Sequence, residues 1–155
     1  MSVASQIARQ MRELHTGGNM AGSDLQQKIA DITWEQAIAK VHGLNSIALL
    51  TYHVNYYVAG LIDVMEGGPL TIRDMYSYDM PPVTGPEDWE RLRTKTLADA
   101  ETFARLVEQM PDSRLYESFI DGKYGTWYRN LTGVLEHTHY HLGQIAIIKK
   151  MVLHG

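Results

Sequence analysis

The chain contains no cysteine. This excludes a disulfide framework, a thiolate nucleophile and a cysteine-ligated zinc, so any metal has to rest on His, Asp or Glu. There is no block of consecutive Lys or Arg, and the formal charge is -4. Nucleic-acid binders normally present a basic patch that displaces counterions from phosphates, so nucleic acid is not an expected partner. No uninterrupted apolar run approaches the roughly 20 residues needed to cross a bilayer. The opening MSVASQIARQMREL lacks the apolar stretch of a signal peptide. A cytoplasmic location with no membrane attachment is the expectation. Internal repeats and low-complexity segments are absent too, which argues against a solenoid.

What is present has the balance of a folded protein: 155 residues, 45% hydrophobic and 21% charged. That length suits one domain over residues 1–155, large enough to bury a continuous core. Four stretches carry helical periodicity, and no strand-like alternation of comparable length competes with them, so the class is all-α. The first helix is expected from Val3 to His15, stopped by Thr16-Gly17-Gly18-Asn19. A short helical piece follows at Leu25 to Ala30. The second helix is expected to begin after Thr33 as N-cap and to run unbroken to Gly67-Gly68-Pro69. Gly43 and Gly60 within it point to a kink or a close helix approach.

From Leu70 to Pro86 the prolines Pro81, Pro82 and Pro86 mark an irregular crossover. The third helix is expected from Glu87 to Met110, with Glu87 and Asp88 at the positive end of its dipole and Pro111 beyond its end. The fourth starts after Thr126 as N-cap and reaches Leu153, with Lys149 and Lys150 near its negative end.

Of seven histidines, His137, His139 and His141 fall on the fourth helix. At about 100° per residue, His137 and His141 lie on one face a turn apart and are spaced to chelate one ion. His139 points the opposite way. Val134, Ile145, Ile148 and Val152 share the face of His141 within roughly 40°, so the pair should face inward. Buried imidazoles are costly unless their nitrogens find partners, and a shared metal is one way to satisfy them; hydrogen-bonded core histidines are the other. On the second helix His53 shares a face with Leu49, Leu50, Tyr56 and Tyr57, which makes it a third candidate ligand from a facing helix. Three protein ligands leave a position open, as in catalytic metal sites. The spacing differs from the His-Glu-x-x-His of metalloproteases, since Glu136 precedes the first ligand and points outward. Asn55, Tyr56, Tyr57 and Gln144 are the candidates for outer-shell hydrogen bonds or substrate contact. No catalytic residue is assigned. His42 lies nearly on the stripe of His53 but about 16 Å before it on a continuous helix, so it cannot share its ion and is expected to be a hydrogen-bonded core or interface residue. His15 and His154, near helix ends, are explained by the helix dipole.

The segment EHTHYHLGQIAIIKK resembles the last-helix signature of the DinB-like superfamily, in which two histidines four apart precede Gly-Gln: here His137, His141, Gly143 and Gln144. LNSIALLTYHVNYYVAGL resembles its second-helix signature, with His53 in the place of the third ligand. The resemblance implies a four-helix bundle with a long crossover between helices two and three, a homodimer, and one divalent ion, zinc or nickel, on the three histidines. It also implies relatives that are thiol-dependent transferases and isomerases using bacillithiol, mycothiol or glutathione. Many relatives carry His-His-Arg-Gly-Gln where this chain has Tyr140-His141-Leu142-Gly143-Gln144, so only the metal ligands carry over. Two functions are therefore in play. One is a metal-dependent thiol transferase or hydrolase acting on an unidentified small molecule. The other is a non-catalytic dimeric bundle in which the metal or the histidine cluster is structural. Neutral imidazoles are needed for ligation, so metal affinity is expected to fall as pH drops through the histidine range.

Overall fold

The computed structural model describes residues 1–155. Five of the seven α-helices begin where a side chain takes over an unsatisfied backbone N–H group. Ser2, Asp24 and Thr33 cap helices α1 (Val3–Thr16), α2 (Leu25–Ile29) and α3 (Trp34–Ile38), with a reciprocal Thr33–Gln36 capping box at the last. Ser46 caps α4 (Ile47–Met65), and Thr126 caps α7 (Trp127–His154). Helix α5 (Pro86–Glu108) starts on a proline followed by Glu87 and Asp88, which suits the first turn sterically and electrostatically. A short α6 (Asp112–Leu115) follows. Its Asp112 carboxylate accepts the backbone N–H groups of Val3 and Ala4, both at 2.9 Å, so α1 has a tertiary cap from α6.

The four long helices pack as a closed circuit, α1 against α5, α5 against α4, α4 against α7 and α7 against α1. Their apolar stripes merge into one core of 31 buried residues, including Ile7, Met11, Leu50, Val58, Phe103, Leu131 and Ile145. The molecule is all-helical, as expected, and no helix is long and apolar enough to cross a membrane. Between α4 and α5 the crossover contains only a 3-10 turn at Asp74–Tyr76. It passes across α4 close enough for Ile72 to occupy the notch left by Gly60. The close approach expected at Gly60 is therefore made by the crossover.

Three expectations need correction. The long second helix is two helices, α3 and α4, separated by residues 39–46. Ala39 turns extended, His42 and Gly43 take left-handed φ of 49° and 75°, and the Ser46 hydroxyl accepts the N–H of Leu49 to start the chain helical again. Gly43 and Ser46 are turn and cap signals that outweigh the apolar periodicity around them. His42, accordingly, is exposed on that turn and belongs to no helix stripe. His15 is 1% exposed and its Nδ1 is 3.0 Å from the Met11 carbonyl. Burial pushes its pKa down to about 4. A neutral imidazole has no charge to offer the dipole, so the expected electrostatic role at the helix end does not apply.

Candidate metal centre

His53 is fixed on α4, and His137 and His141 on α7, the two helices that face each other in the circuit. The inward stripe expected on the fourth helix is realised: Val134, His141, Ile145 and Ile148 are buried, while Glu136 and His139 are exposed. One nitrogen from each of His53, His137 and His141 lies within 4.8 Å of the others. The closest pair, His53 Nε2 and His137 Nε2, is 3.0 Å apart. A tetrahedral ion held at about 2.0–2.1 Å needs N···N separations of about 3.3 Å. That value lies within the range of separations the cluster spans.

Two of the rings have their tautomers set by partners that can only accept. His53 Nδ1 is 3.2 Å from the Ser77 carbonyl oxygen, so Nδ1 carries the proton and Nε2 the lone pair. His141 Nδ1 is 2.6 Å from Gln144 Oε1, whose amide nitrogen donates in turn to the Tyr140 hydroxyl at 3.3 Å. Outer-shell acceptors of this kind orient metal-binding histidines and raise their basicity. His137 Nδ1 is buried without any partner, leaving this ring the least restrained of the three. All three imidazoles are held below the ordinary histidine range. Burial is the first cause in each case, and for His137 the neighbouring rings of His141 and His53 add to it, taking it to about 4. The neutral form that ligation requires thus extends to lower pH than for a free histidine, and the acid loss of metal should set in below the ordinary range.

Aromatic rings close the site. Tyr78 stacks on His53 at a centroid distance of 4.0 Å and 7° between planes. Tyr57 meets His53 and His137 edge-on at 5.4 and 4.8 Å, and its hydroxyl donates to Asp74 Oδ1 at 2.9 Å. Of the residues expected around the histidines, Gln144 bonds His141 and the Tyr57 ring packs against His53 and His137. Tyr56 instead bonds the Arg73 backbone, accepting its N–H at 3.0 Å and donating to its carbonyl at 3.1 Å. It pins the crossover. Asn55 points to α5, where its amide donates to Asp99 at 2.7 Å, because two residues along a helix is about 200° away from His53. Sequence reasoning missed the roles of Ser77 and Tyr78. Their contacts with His53 return across the irregular chain that follows α4, which no helical spacing reports. Trp89, on α5, is core, with its indole N–H donated to the Ile32 carbonyl at 2.9 Å.

His137 also lines a cleft of about 800 Å³ between α4, the crossover and the first half of α7. Solvent and small molecules can therefore reach the cluster from one side.

Replacing Gln144 with alanine is expected to weaken metal binding roughly tenfold or more, since His141 loses the acceptor that sets its tautomer. Gln144→Glu should retain affinity, because a carboxylate accepts the same proton. Competition with a chromophoric chelator measures both; equal affinity for wild type and Gln144→Ala would remove Gln144 from the site.

Compared with family models, curated proteins and solved structures, the chain matches none.

Proposed function

We propose that the protein is a metal-dependent enzyme of the DinB-like type, a homodimeric four-helix bundle that holds one zinc or nickel ion on His53, His137 and His141. The observation that carries the reading is the convergence of three imidazoles, each offering a nitrogen within 4.8 Å of the others, with two of the rings fixed by Ser77 and Gln144. The closed circuit of four long helices and the intervening crossover support the same reading. Three ligands and a cleft on the His137 side suit a working site better than a closed staple. An ion there would supply Lewis acidity, which suits thiol transfer with a low-molecular-weight thiol or hydrolysis. The chain's own residues do the rest. His53 and His141 are oriented through their Nδ1 protons, Tyr78 shields one face of His53, and Tyr57 presents a hydroxyl anchored on Asp74 beside His137. Burial pushes the Tyr57 phenol upward, so it keeps its proton as a hydrogen-bond donor at neutral pH.

One observation favours a rival in which the cluster is only structural: His53 and His137 already bond each other at 3.0 Å, so two rings partly satisfy themselves without an ion. Metal analysis of tag-free protein decides. We expect about one equivalent of metal per chain in the wild type and almost none in His53→Ala, His137→Ala or His141→Ala, each still folded by circular dichroism. A wild type that takes up no metal after reconstitution would sink the metal reading. Variants that lose metal and unfold together would assign the ion to the bundle as a staple.

A further inference from the structure

We infer that the cleft beside His137 binds a small molecule with an apolar body and one anionic group, the anion held by Arg73 and Arg129. The inference deepens the enzyme reading by naming its substrate class, and it rests on that reading for what happens at the histidine end. The cleft itself stands on other residues. At about 800 Å³ it lies within the size range of small-molecule pockets. Its walls are apolar where they are deepest: Leu61 from α4, Ile72 from the crossover, Val134 from α7 and Phe119 from the segment before α7. Phe119 and Leu61 are buried core residues that turn an edge to this space. Gly133 forms part of the α7 wall, and a Cβ there would meet nothing within 4 Å. Bare backbone in a helix interior costs stability, and here it leaves room at the surface of a cleft.

The charge points to an anion. Of the eight arginines, Arg9, Arg12, Arg91 and Arg93 have carboxylate partners and lie outside the cleft, as do Arg105 and Arg114, which have none, Arg114 lying over the Trp127 ring. Arg73 and Arg129 line it, and neither has a carboxylate partner. Arg129 is steadied by a bond from Nη1 to the Tyr124 carbonyl at 3.0 Å, which leaves its other donors free. Two carboxylates share the lining. Asp74 is engaged by the Tyr57 hydroxyl, and Glu136 follows Arg129 by seven residues, about 10 Å along the helix, next to His137. An anionic group is therefore favoured beside Arg129, away from Glu136 and His137 on α7, with Arg73 reaching the same cleft from the crossover. A ligand so oriented lays its apolar body along Leu61, Ile72, Phe119 and Val134 and brings its far end to His137, about 12 Å along α7 from Arg129.

The test uses decanoate as probe and decan-1-ol as its uncharged counterpart, titrated by calorimetry into full-length protein. Wild type should bind decanoate at least tenfold tighter than the alcohol. The pair Arg73→Gln and Arg129→Gln should erase that preference while leaving the alcohol unchanged. Gly133→Leu, which raises helix propensity and so should fold, is expected to weaken both ligands at least tenfold. Equal binding of acid and alcohol to wild type, or a preference that survives the arginine substitutions, overturns the assignment. Running each titration with chelator-treated and with zinc-loaded protein keeps the two readings apart. A preference seen only with zinc belongs to the ion and overturns the arginine role. A preference seen in protein that takes up no zinc supports the cleft even as the metal reading fails.

Discussion

Changing Gly60 to alanine will weaken metal binding about tenfold, although residue 60 touches none of the three histidines. Alanine is favoured over glycine in a helix by up to about 1 kcal/mol, and α4 would gain that much if nothing stood in the way. The added Cβ, however, would lie 2.3 Å from Ile72 Cγ1 and 2.7 Å from Cδ1. Both are far inside the 3.5–4.0 Å or so of an ordinary carbon contact. Sterics win over propensity: the Ile72 side chain has to leave the notch, and the crossover loses its seat on α4. Five and six residues further along, the same crossover carries the Ser77 carbonyl that sets the His53 tautomer and the Tyr78 ring stacked on His53. Displacing them loosens the first ligand, and loss of outer-shell orientation commonly costs metal sites ten- to a hundredfold in affinity, roughly. The double variant Gly60→Ala with Ile72→Ala should recover most of the affinity, because the nearest remaining Ile72 atom, Cβ, is 3.8 Å away. Chelator competition on the two single variants and the pair completes the cycle. If Gly60→Ala binds metal as the wild type does, the crossover is not what holds His53.

Acid will destabilise the protein through His15 independently of any metal. The folded-state pKa of this ring is pushed down to about 4 by burial, against about 6.5 when the chain is unfolded. The unfolded state therefore takes up a proton first, and stability is greatest above pH 6.5 or so and falls as pH drops towards 4, where the folded ring also protonates. At about 1.36 kcal/mol per pKa unit the loss over this window amounts to about 3 kcal/mol, a large share of a typical folding free energy. The cause is local. His15 Nδ1 has the Met11 carbonyl, but Nε2 is buried with no partner, so a second proton would sit uncompensated in the core. His15→Leu should remain folded and lose this part of the pH dependence. Urea unfolding of wild type and variant at pH 7, 5.5 and 4 isolates His15, because the site histidines contribute equally to both. Parallel pH profiles would show that His15 is hydrated or open in solution.

Both predictions depend on residues whose importance is invisible in their sequence neighbourhoods. Gly60 reads as a weak point in a helix and His15 as a basic residue near a helix end. Each acquires its role from an element distant in the chain: the crossover for one, the surrounding core for the other. The same holds for Asn55. It lies two residues from a ligand in the sequence, yet on the opposite side of α4 and bonded to α5.

The sequence by itself determined whatever depends on spacing within one helix. The all-helical class, the caps at Thr33 and Thr126, the helix that opens around Glu87 and Asp88 and the inward pairing of His137 with His141 follow from a period of about 3.6 residues and from cap chemistry. Even the weight of the break at residues 39–46 was present in Gly43 and Ser46, though the surrounding apolar residues obscured it. Only the tertiary structure decided that His53 comes within 3.0 Å of His137, that Ser77 and Tyr78 complete its surroundings, that His15 is sealed in the core, and that a cleft opens on His137 with two arginines in its lining. Local hydrogen bonds and steric preferences set the form of each helix. The separation between side chains on different helices is set by how the apolar faces of all four pack together, which depends on every element at once.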